Sequence, residues 1–150
     1  MKVKICAVLL VLVTCLFAFS GCITGTEAKS FADSFFATVE NGFYNWSNDY
    51  YYDYGYSYGS IESYMHPRST FDPIEFFNQI EYEEGVNFQD GIEVIKYSST
   101  AYSSYDGQIG ASSYRMTAKI RVSGVEMKLV VKVGEDGQNG PLGIYSIKKK

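Results

Sequence analysis

Residues 114–133 read YRMTAKIRVSGVEMKLVVKV, and this stretch decides the fold. Apolar and polar side chains alternate through both halves of it. Alternation is typical of strands with one buried face, because successive side chains leave a strand on opposite sides. Only Ser123 and Gly124 separate the halves, and glycine tolerates the positive φ of a two-residue turn. We therefore predict a hairpin with ten side chains facing a core. These inward residues are Tyr114, Met116, Ala118, Ile120, Val122, Val125, Met127, Leu129, Val131 and Val133.

The other face of the predicted hairpin is basic. With a two-residue turn, Lys119 falls opposite Lys128 and Arg115 falls opposite Lys132. Like charges directly opposite each other destabilise a strand pair. Anionic lipid headgroups, an envelope polymer, an acidic protein partner or the chain's own acidic half would offset the repulsion; alternatively, the side chains splay apart in solvent. The residues predicted to meet an anionic surface are Arg115, Lys119, Arg121, Lys128 and Lys132.

Segments on both sides of the hairpin extend the predicted sheet. Asp106 and Gly107 predict a turn, and Gly110 predicts a bulge in the strand that follows. Residues 134–143 form a polar loop, in which Glu135 is interpreted as part of a turn. The pattern predicts a four-stranded antiparallel meander. Its strands cover about residues 92–105, 108–122, 125–133 and 144–149.

The residues before the sheet predict helices that cover its apolar face. Thr24 and Glu27 have the spacing of a capping box at a helix start. Apolar residues then recur every three or four positions, which is typical of an amphipathic helix. This stripe consists of Ala28, Phe31, Ala32, Phe35, Phe36, Val39, Phe43 and Trp46.

A later helix has well-defined predicted ends. Asp72 is expected to be its N-cap, Pro73 its first residue and Gly85 the residue that ends it. Residues 60–66 predict a short helix before a proline. His66 is the only histidine and is interpreted as structural. Without a second histidine or a free cysteine in the mature chain, no ordinary zinc site is expected.

The first 22 residues have the pattern of an export signal. Lys2 and Lys4 precede an uncharged run of fifteen residues, 5–19, shorter than the roughly 20 that a membrane-spanning helix needs. Phe19-Ser20-Gly21-Cys22 then resembles the lipobox of prokaryotic lipoproteins. The resemblance implies that Cys22 receives a diacylglyceryl thioether, becomes the mature N-terminus and anchors an exported protein to the outer face of the cell membrane or to an outer membrane. The alternative is an ordinary signal peptide that is cleaved at a nearby residue, or an anchor that is not cleaved.

Length and charge indicate one exported domain. We expect residues 1–21 to be the signal peptide, 22–27 a lipidated tether and 28–150 a single domain of usual size. Residues 22–93 hold thirteen acids and two bases, whereas 94–150 hold four acids and nine bases. The sign changes where the helical pattern gives way to strands, so we interpret it as two halves of one domain. An exported acidic chain is not expected to bind nucleic acid, despite its basic face.

Residues 50–58 place a tyrosine at every even position. If this segment is extended, it presents five rings on one side. Tyrosine combines an apolar body with a polar tip, which suits contact with a glycan or a protein. The alternative is a loop whose rings pack over the rim of the core. The candidate ligand-binding residues are Tyr50, Tyr52, Tyr54, Tyr56 and Tyr58.

The predicted meander ends on Leu142-Gly143-Ile144-Tyr145-Ser146-Ile147. This ending and the order of the elements, helices followed by a meander, resemble the nuclear-transport-factor-like superfamily. The resemblance covers about residues 28–149. It implies a cone-shaped α+β fold, with N-terminal helices packed on one face of the four-stranded meander and a small pocket lined by apolar and tyrosine side chains. Some members are isomerases or dehydratases that use Asp, His or Tyr in the cone, but no residue here matches such a position. A cystatin-like or other helix-on-sheet fold is the alternative.

These observations favour a non-enzymatic binding or accessory module of the cell envelope. The sequence has no nucleophile elbow, phosphate-binding loop, dinucleotide fingerprint or metal cluster, so no catalytic residue, metal or cofactor is predicted. A pocket-type enzyme of the same superfamily and a purely structural envelope component are the alternatives. The enzyme would need an ionisable group of perturbed pKa inside its cavity.

Overall fold

The computed structural model describes residues 23–48 and 61–150. Within these ranges, helices precede strands, and the predicted α+β class is confirmed. The helical elements are α1 (Gly25–Asn48), α2 (Pro73–Glu84) and a short 3-10 turn (Phe88–Asp90). The strands are β1 (Glu93–Asp106), β2 (Ala111–Val122), β3 (Val125–Glu135) and β4 (Leu142–Lys149).

The four strands form one antiparallel sheet in the order β1-β2-β3-β4, which confirms the predicted meander. The central hairpin has the predicted register, with Val122 paired to Val125 across the turn. Ser123 and Gly124 have φ values of 47° and 81°. Both are positive, as a turn that matches the twist of the flanking strands requires.

Both helices pack on one face of the sheet, and the core lies between them. Phe35 of α1, Phe77 of α2 and Leu129 of β3 are fully buried in a single apolar cluster. The Phe77 ring also meets Phe88 edge-on, with ring centroids 5.0 Å apart. All ten predicted inward residues of the hairpin belong to this cluster or pack against it. No helix within the described ranges is long and apolar enough to cross a membrane.

The predicted helix ends are confirmed by their hydrogen bonds. At the start of α1, the Glu27 amide donates to Thr24 Oγ1 (3.2 Å) and the Thr24 amide donates to Glu27 Oε2 (2.9 Å). At the start of α2, Asp72 Oδ1 accepts from the amides of Ile74 (2.9 Å) and Glu75 (3.0 Å). Each cap satisfies backbone donors that a helix leaves unpaired.

Tyr97 links the sheet to the first helix. Its hydroxyl donates to Asp33 Oδ1 at 2.6 Å, which joins β1 to the polar side of α1. Burial of the ring and the neighbouring Asp33 carboxylate both raise the pKa of the Tyr97 phenol, so it stays protonated as a donor.

The connection between β1 and β2 differs from the prediction. Gly110, with φ 81°, lies in the turn and is not a bulge within β2. Asp106 builds this longer turn, since its carboxylate accepts from the Gln108 amide (3.0 Å) and its carbonyl from the Ile109 amide (3.1 Å). The turn buries Ile109 against Gly134, where a Cβ would lie 2.6 Å from Ile109 Cδ1. Tertiary packing of Ile109 therefore sets where β2 begins.

The interpretation of Glu135 as a turn residue was wrong. Glu135 is the last residue of β3, pairs with Leu142 of β4 and is only 7% exposed. Its carboxyl group accepts from Ser112 Oγ at 2.7 Å, and this partner satisfies a polar group that is buried in the sheet.

The chain before α2 covers the β4 edge of the sheet. The predicted short helix over 60–66 is wrong in its extent, since only Ile61 and Glu62 are helical in its described part. The chain then runs beside β4, where the Ile144 amide donates to the Tyr64 carbonyl (2.7 Å) and the His66 amide to the Ile144 carbonyl (2.9 Å). These sheet-like bonds compete with helix formation.

β1 forms the other edge of the sheet and is irregular along its 14 residues. Its pairing with β2 shifts register three times, and Ser99 takes a positive φ of 51° at the middle shift. A bulge bends a strand and interrupts its row of backbone donors and acceptors.

Candidate functional site

The sheet face opposite the helices, here called the outer face, holds the five predicted basic residues. Lys119 pairs in register with Lys128, and Arg115 pairs with Lys132. Arg121 lies two residue pairs closer than Lys119 to the Ser-Gly turn and pairs with Glu126. The predicted opposition of like charges is therefore present in the structure.

Glu126 offsets the charge of the first opposed pair. Its carboxylate forms an ion pair with Lys119 and another with Arg121 (2.7 Å), and Arg121 also pairs with Glu93 (2.7 Å). Hydrogen bonds from Lys119 and Arg121 lower the pKa of the Glu126 carboxyl. These exposed pairs neutralise Lys119 and Arg121 locally but leave Lys128 with no ion pair among the described residues.

Lys132 is neutralised by a different acid. Its Nζ lies 2.6 Å from Asp106 Oδ2, donates to Gln108 Oε1 at 3.0 Å and sits 4.8 Å from the centre of the Tyr145 ring. The Lys132 and Asp106 side chains are each 17% exposed, less than those of any other ion pair in the described part of the chain. Water therefore screens this pair less than the others. Arg115, opposite Lys132, makes no ion pair within 23–48 or 61–150.

The outer face also holds basic residues that the sequence analysis did not assign to it. Lys96 pairs with Lys119, and Lys148 pairs with Val130. A bulge between Val94 and Lys96 shifts the alternation of β1 by one residue, which brings Lys96 to the outer face. Five outer-face cations have no ion pair with any described residue. They are Lys96, Arg115, Lys128, Lys148 and Lys150.

Four lysines align across all four strands at one level of the sheet. Lys96 pairs with Lys119, Lys119 pairs with Lys128, and the Lys150 amide donates to the Lys128 carbonyl at 2.9 Å. Lys150 thus continues the β4 register by one residue. We call Lys96, Lys119, Lys128 and Lys150 the lysine row.

A surface groove of about 490 Å³ lies at the β4 end of the lysine row. Lys149 enters it from the helix side of the sheet and pairs with Glu83 (3.1 Å) and with Glu84. The groove thus places four ammonium groups around two carboxylates. Its lining consists of Glu84, Lys119, Glu126, Met127, Lys128, Lys149 and Lys150.

The acidic half of the chain offsets little of the positive charge of the outer face. Among the acids of residues 72–93, Glu93 alone pairs with an outer-face cation of the described chain, which is Arg121. Glu83 and Glu84 of α2 pair with Lys149, whose register partner Leu129 lies on the helix side.

A second groove, of about 420 Å³, lies beside the Ser-Gly turn and is acidic. Its carboxylates already hold protein donors, because Asp90 Oδ2 accepts from Ser123 Oγ (2.5 Å) and Glu40 Oε2 accepts from the Ile92 amide (3.3 Å). Within the described ranges, no three His, Cys, Asp or Glu residues are grouped to hold a metal ion. We interpret this groove as the contact between the helical half of the chain and the Ser123-Gly124 turn.

A buried polar cluster lies where β2, β3 and the segment before α2 meet. His66 Nδ1 accepts from the Arg68 amide (3.1 Å), so Nε2 carries the proton and donates to the Glu135 carbonyl (3.1 Å). The Ser112 hydroxyl donates to the Glu135 carboxylate and not to the histidine ring. Ser112 is therefore not paired with His66 as a nucleophile is with its base. His66 joins segments, in agreement with its structural interpretation.

Two groups of predicted site residues lie outside the described residues. They are the lipidation site Cys22 and the tyrosines Tyr50, Tyr52, Tyr54, Tyr56 and Tyr58. Their roles remain predictions.

No protein-family model, no curated protein and no solved structure matches the chain.

Proposed function

We propose that this protein is a non-enzymatic binding module of the cell envelope, anchored through lipidated Cys22, that holds an anionic partner on the outer face of its sheet. The observation that carries the proposal is the set of five outer-face cations without an ion pair among the described residues. A mature chain with excess negative charge nevertheless presents, on one face of its described part, positive charges without ion pairs. Such a patch attracts and steers an anionic partner.

The interior of the fold supports binding rather than catalysis. The buried titratable groups His66 and Glu135 each have protein hydrogen-bond partners, and the carboxylate of Glu135 is held by Ser112. The two grooves described above are lined mainly by charged surface residues, and the Ser123 hydroxyl in the acidic groove is bound to Asp90 at the turn.

The proposed location rests on the lipobox-like signal. Ile23, directly after Cys22, is 5% exposed and belongs to the core cluster. A lipid on Cys22 would therefore enter the membrane next to the folded domain, with almost no flexible tether between them. Two acyl chains are sufficient for stable attachment.

Retention on a dextran sulfate matrix tests the proposal. The chain from residue 22 onward, produced without acylation, should bind at low salt and elute as salt rises, because screening shortens electrostatic attraction. Lys128→Glu should elute at clearly lower salt. Lys29→Glu, the same charge change on α1, is the matched control and should elute like the wild type. Equal shifts for both variants would show that net charge, and not the outer face, governs binding.

A further inference from the structure

We propose that the lysine row and the groove at its β4 end bind a linear phosphate polymer that lies across the four strands, on the side of the domain that faces away from its own membrane. This inference rests on the proposed function and names the chemistry of the partner.

The lysine row is a line of charge. Neighbouring strands lie about 4.8 Å apart, so four lysines on four strands span about 14 Å at right angles to the strand direction. Within the described chain, Lys119 is the one member with an ion pair, to Glu126. Regularly spaced cations of this kind suit a chain of regularly spaced anions better than a single small ligand.

The neighbours of the row favour a narrow partner over a broad surface. On the turn side lie Glu93, Arg121 and Glu126, which are paired across β1, β2 and β3. The side chains of Glu93 and Glu126 are 61% and 39% exposed. A planar anionic membrane pressed against the row would also meet both carboxylates, whereas a linear polymer can follow the lysines, avoid Glu93 and meet only Glu126, which is already paired with Lys119.

The identity of the cations points to phosphate. All members of the row are lysines. A lysine ammonium binds a phosphate oxygen as a point charge, without the fixed two-bond geometry that the planar arginine fork imposes on carboxylate and phosphate alike, so it suits a flexible chain of phosphates. At the end of the row, the groove sets four lysines against Glu84 and Glu126. This local excess of two positive charges matches two phosphates of the polymer, because each internal phosphate of a linear polymer carries one negative charge.

The position of the N-terminus separates the row from the membrane of attachment. Tyr114 lies on the helix side of β2, and its hydroxyl packs so closely on Gly25 that a Cβ there would be 2.5 Å away. The chain after Cys22 therefore begins, with buried Ile23, on the face opposite the row. Gly25 lies beside Tyr114, which is five positions before Lys119 and therefore about 17 Å from it along the strand. Electrostatic attraction decays over about 8 Å at physiological salt, so headgroups of that membrane are too distant to hold the row.

Binding measurements with two probes and two double variants test the inference. The chain from residue 22 onward, without acyl groups, is titrated with linear inorganic polyphosphate and with vesicles of phosphatidylcholine and phosphatidylglycerol in equal parts. Lys96→Gln with Lys128→Gln removes two charges from the row. Arg115→Gln with Lys148→Gln removes two charges from the same face outside the row and is the matched control; thermal unfolding verifies that both variants are folded.

The expected result is tighter binding of polyphosphate than of vesicles, with a large loss in the row variant and a small loss in the control. Each phosphate contact with a single-stranded polyanion adds about 0.7 to the slope of log affinity against log salt, so the row variant should lower that slope by about 1.4 and the control should hardly change it.

Three outcomes would overturn the inference. Equal losses in the two variants would mean that the whole outer face attracts anions diffusely, and tighter binding of vesicles through the row would mean that the partner is a membrane. Either result would leave the proposed function standing. No binding of either probe by the wild type would refute the inference and the proposed function together.

Discussion

Leu129 and Val130 are neighbours in β3 with opposite environments. Leu129 is fully buried in the core, whereas Val130 lies half-buried on the outer face. We expect Leu129→Ala to lower the free energy of unfolding by about 2–5 kcal/mol, because it leaves a cavity between sheet and helices. Val130→Thr should change it by less than about 1 kcal/mol. Denaturant unfolding of the two variants gives both values. Similar losses would mean that the outer face is covered as well.

Glu126 shows how two like-charged residues are tolerated opposite each other. The sequence predicted that Lys119 and Lys128 face each other, since alternation and a two-residue turn determine the register. It did not predict that one carboxylate would serve both Lys119 and Arg121 while Lys128 stays without an ion pair in the described chain. Which ion pairs the long side chains form depends on their rotamers, and the alternation of apolar and polar residues carries no information about rotamers.

Among the elements, the turn from β1 to β2 is held together by a carboxylate, that of Asp106. Burial raises the pKa of the Asp106 carboxyl, but hydrogen bonds from Lys132, from the Gln108 amide and from Ser113 outweigh it, so the pKa lies below its ordinary value of 3.8. A lowered pKa in the folded state means that the charged carboxylate stabilises the fold above the unfolded pKa. That stability is lost as pH falls through the folded pKa.

Asp106→Asn should therefore be most destabilising near neutral pH. The difference in unfolding free energy between wild type and variant should shrink as pH falls below about 4, where the wild-type carboxyl also becomes neutral. Urea unfolding across this pH range measures the difference, since urea does not screen charges. Asp136→Asn, in the exposed loop before β4, is the control. A difference that stays constant with pH would show that Asp106 acts only through the shape of the turn.

The two hairpin turns show why sequence located one strand boundary and missed another. Ser123-Gly124 stands between two alternating runs, so local pattern and tertiary structure agree there. After Asp106, the chain instead follows the packing of Ile109 into space left by Gly134, which is 25 residues further along the chain. Alternation within a strand carries no information about such a distant contact.

At the scale of the whole molecule, lipidation at Cys22 is the prediction that determines how the domain would be oriented on a membrane. Cys22→Ala in the full chain should abolish incorporation of labelled fatty acid and leave the signal attached, because the acceptor thiol is gone. Cys15→Ala, inside the apolar run, should leave labelling unchanged. Labelling and mass spectrometry of the N-terminus are the measurements. A mature N-terminus at any residue other than Cys22 would contradict the prediction.

One hairpin was sufficient to predict the outer face, but identifying the lysine row required the register of all four strands. Alternation alone identified Lys119 and Lys128. Lys96 reaches the row through a bulge, and Lys150 joins it because β4 pairs with β3 in one particular register. Bulge positions and the offset between strands joined by a longer loop are set by packing, so sequence reasoning assigned only half of the row to this face.

If Cys22 is lipidated as predicted, many copies share one membrane, and the three register shifts of β1 then matter. Attachment would confine neighbours to two dimensions, where an edge strand with open backbone groups invites strand addition and aggregation. Between the bulges, regular pairing in β1 runs no further than Lys96–Ser98 and Ala101–Ser103. A strand from a neighbouring molecule would lose register within three residues, too few to form a stable ladder. Crowded copies would thus remain separate, each sheet four strands wide.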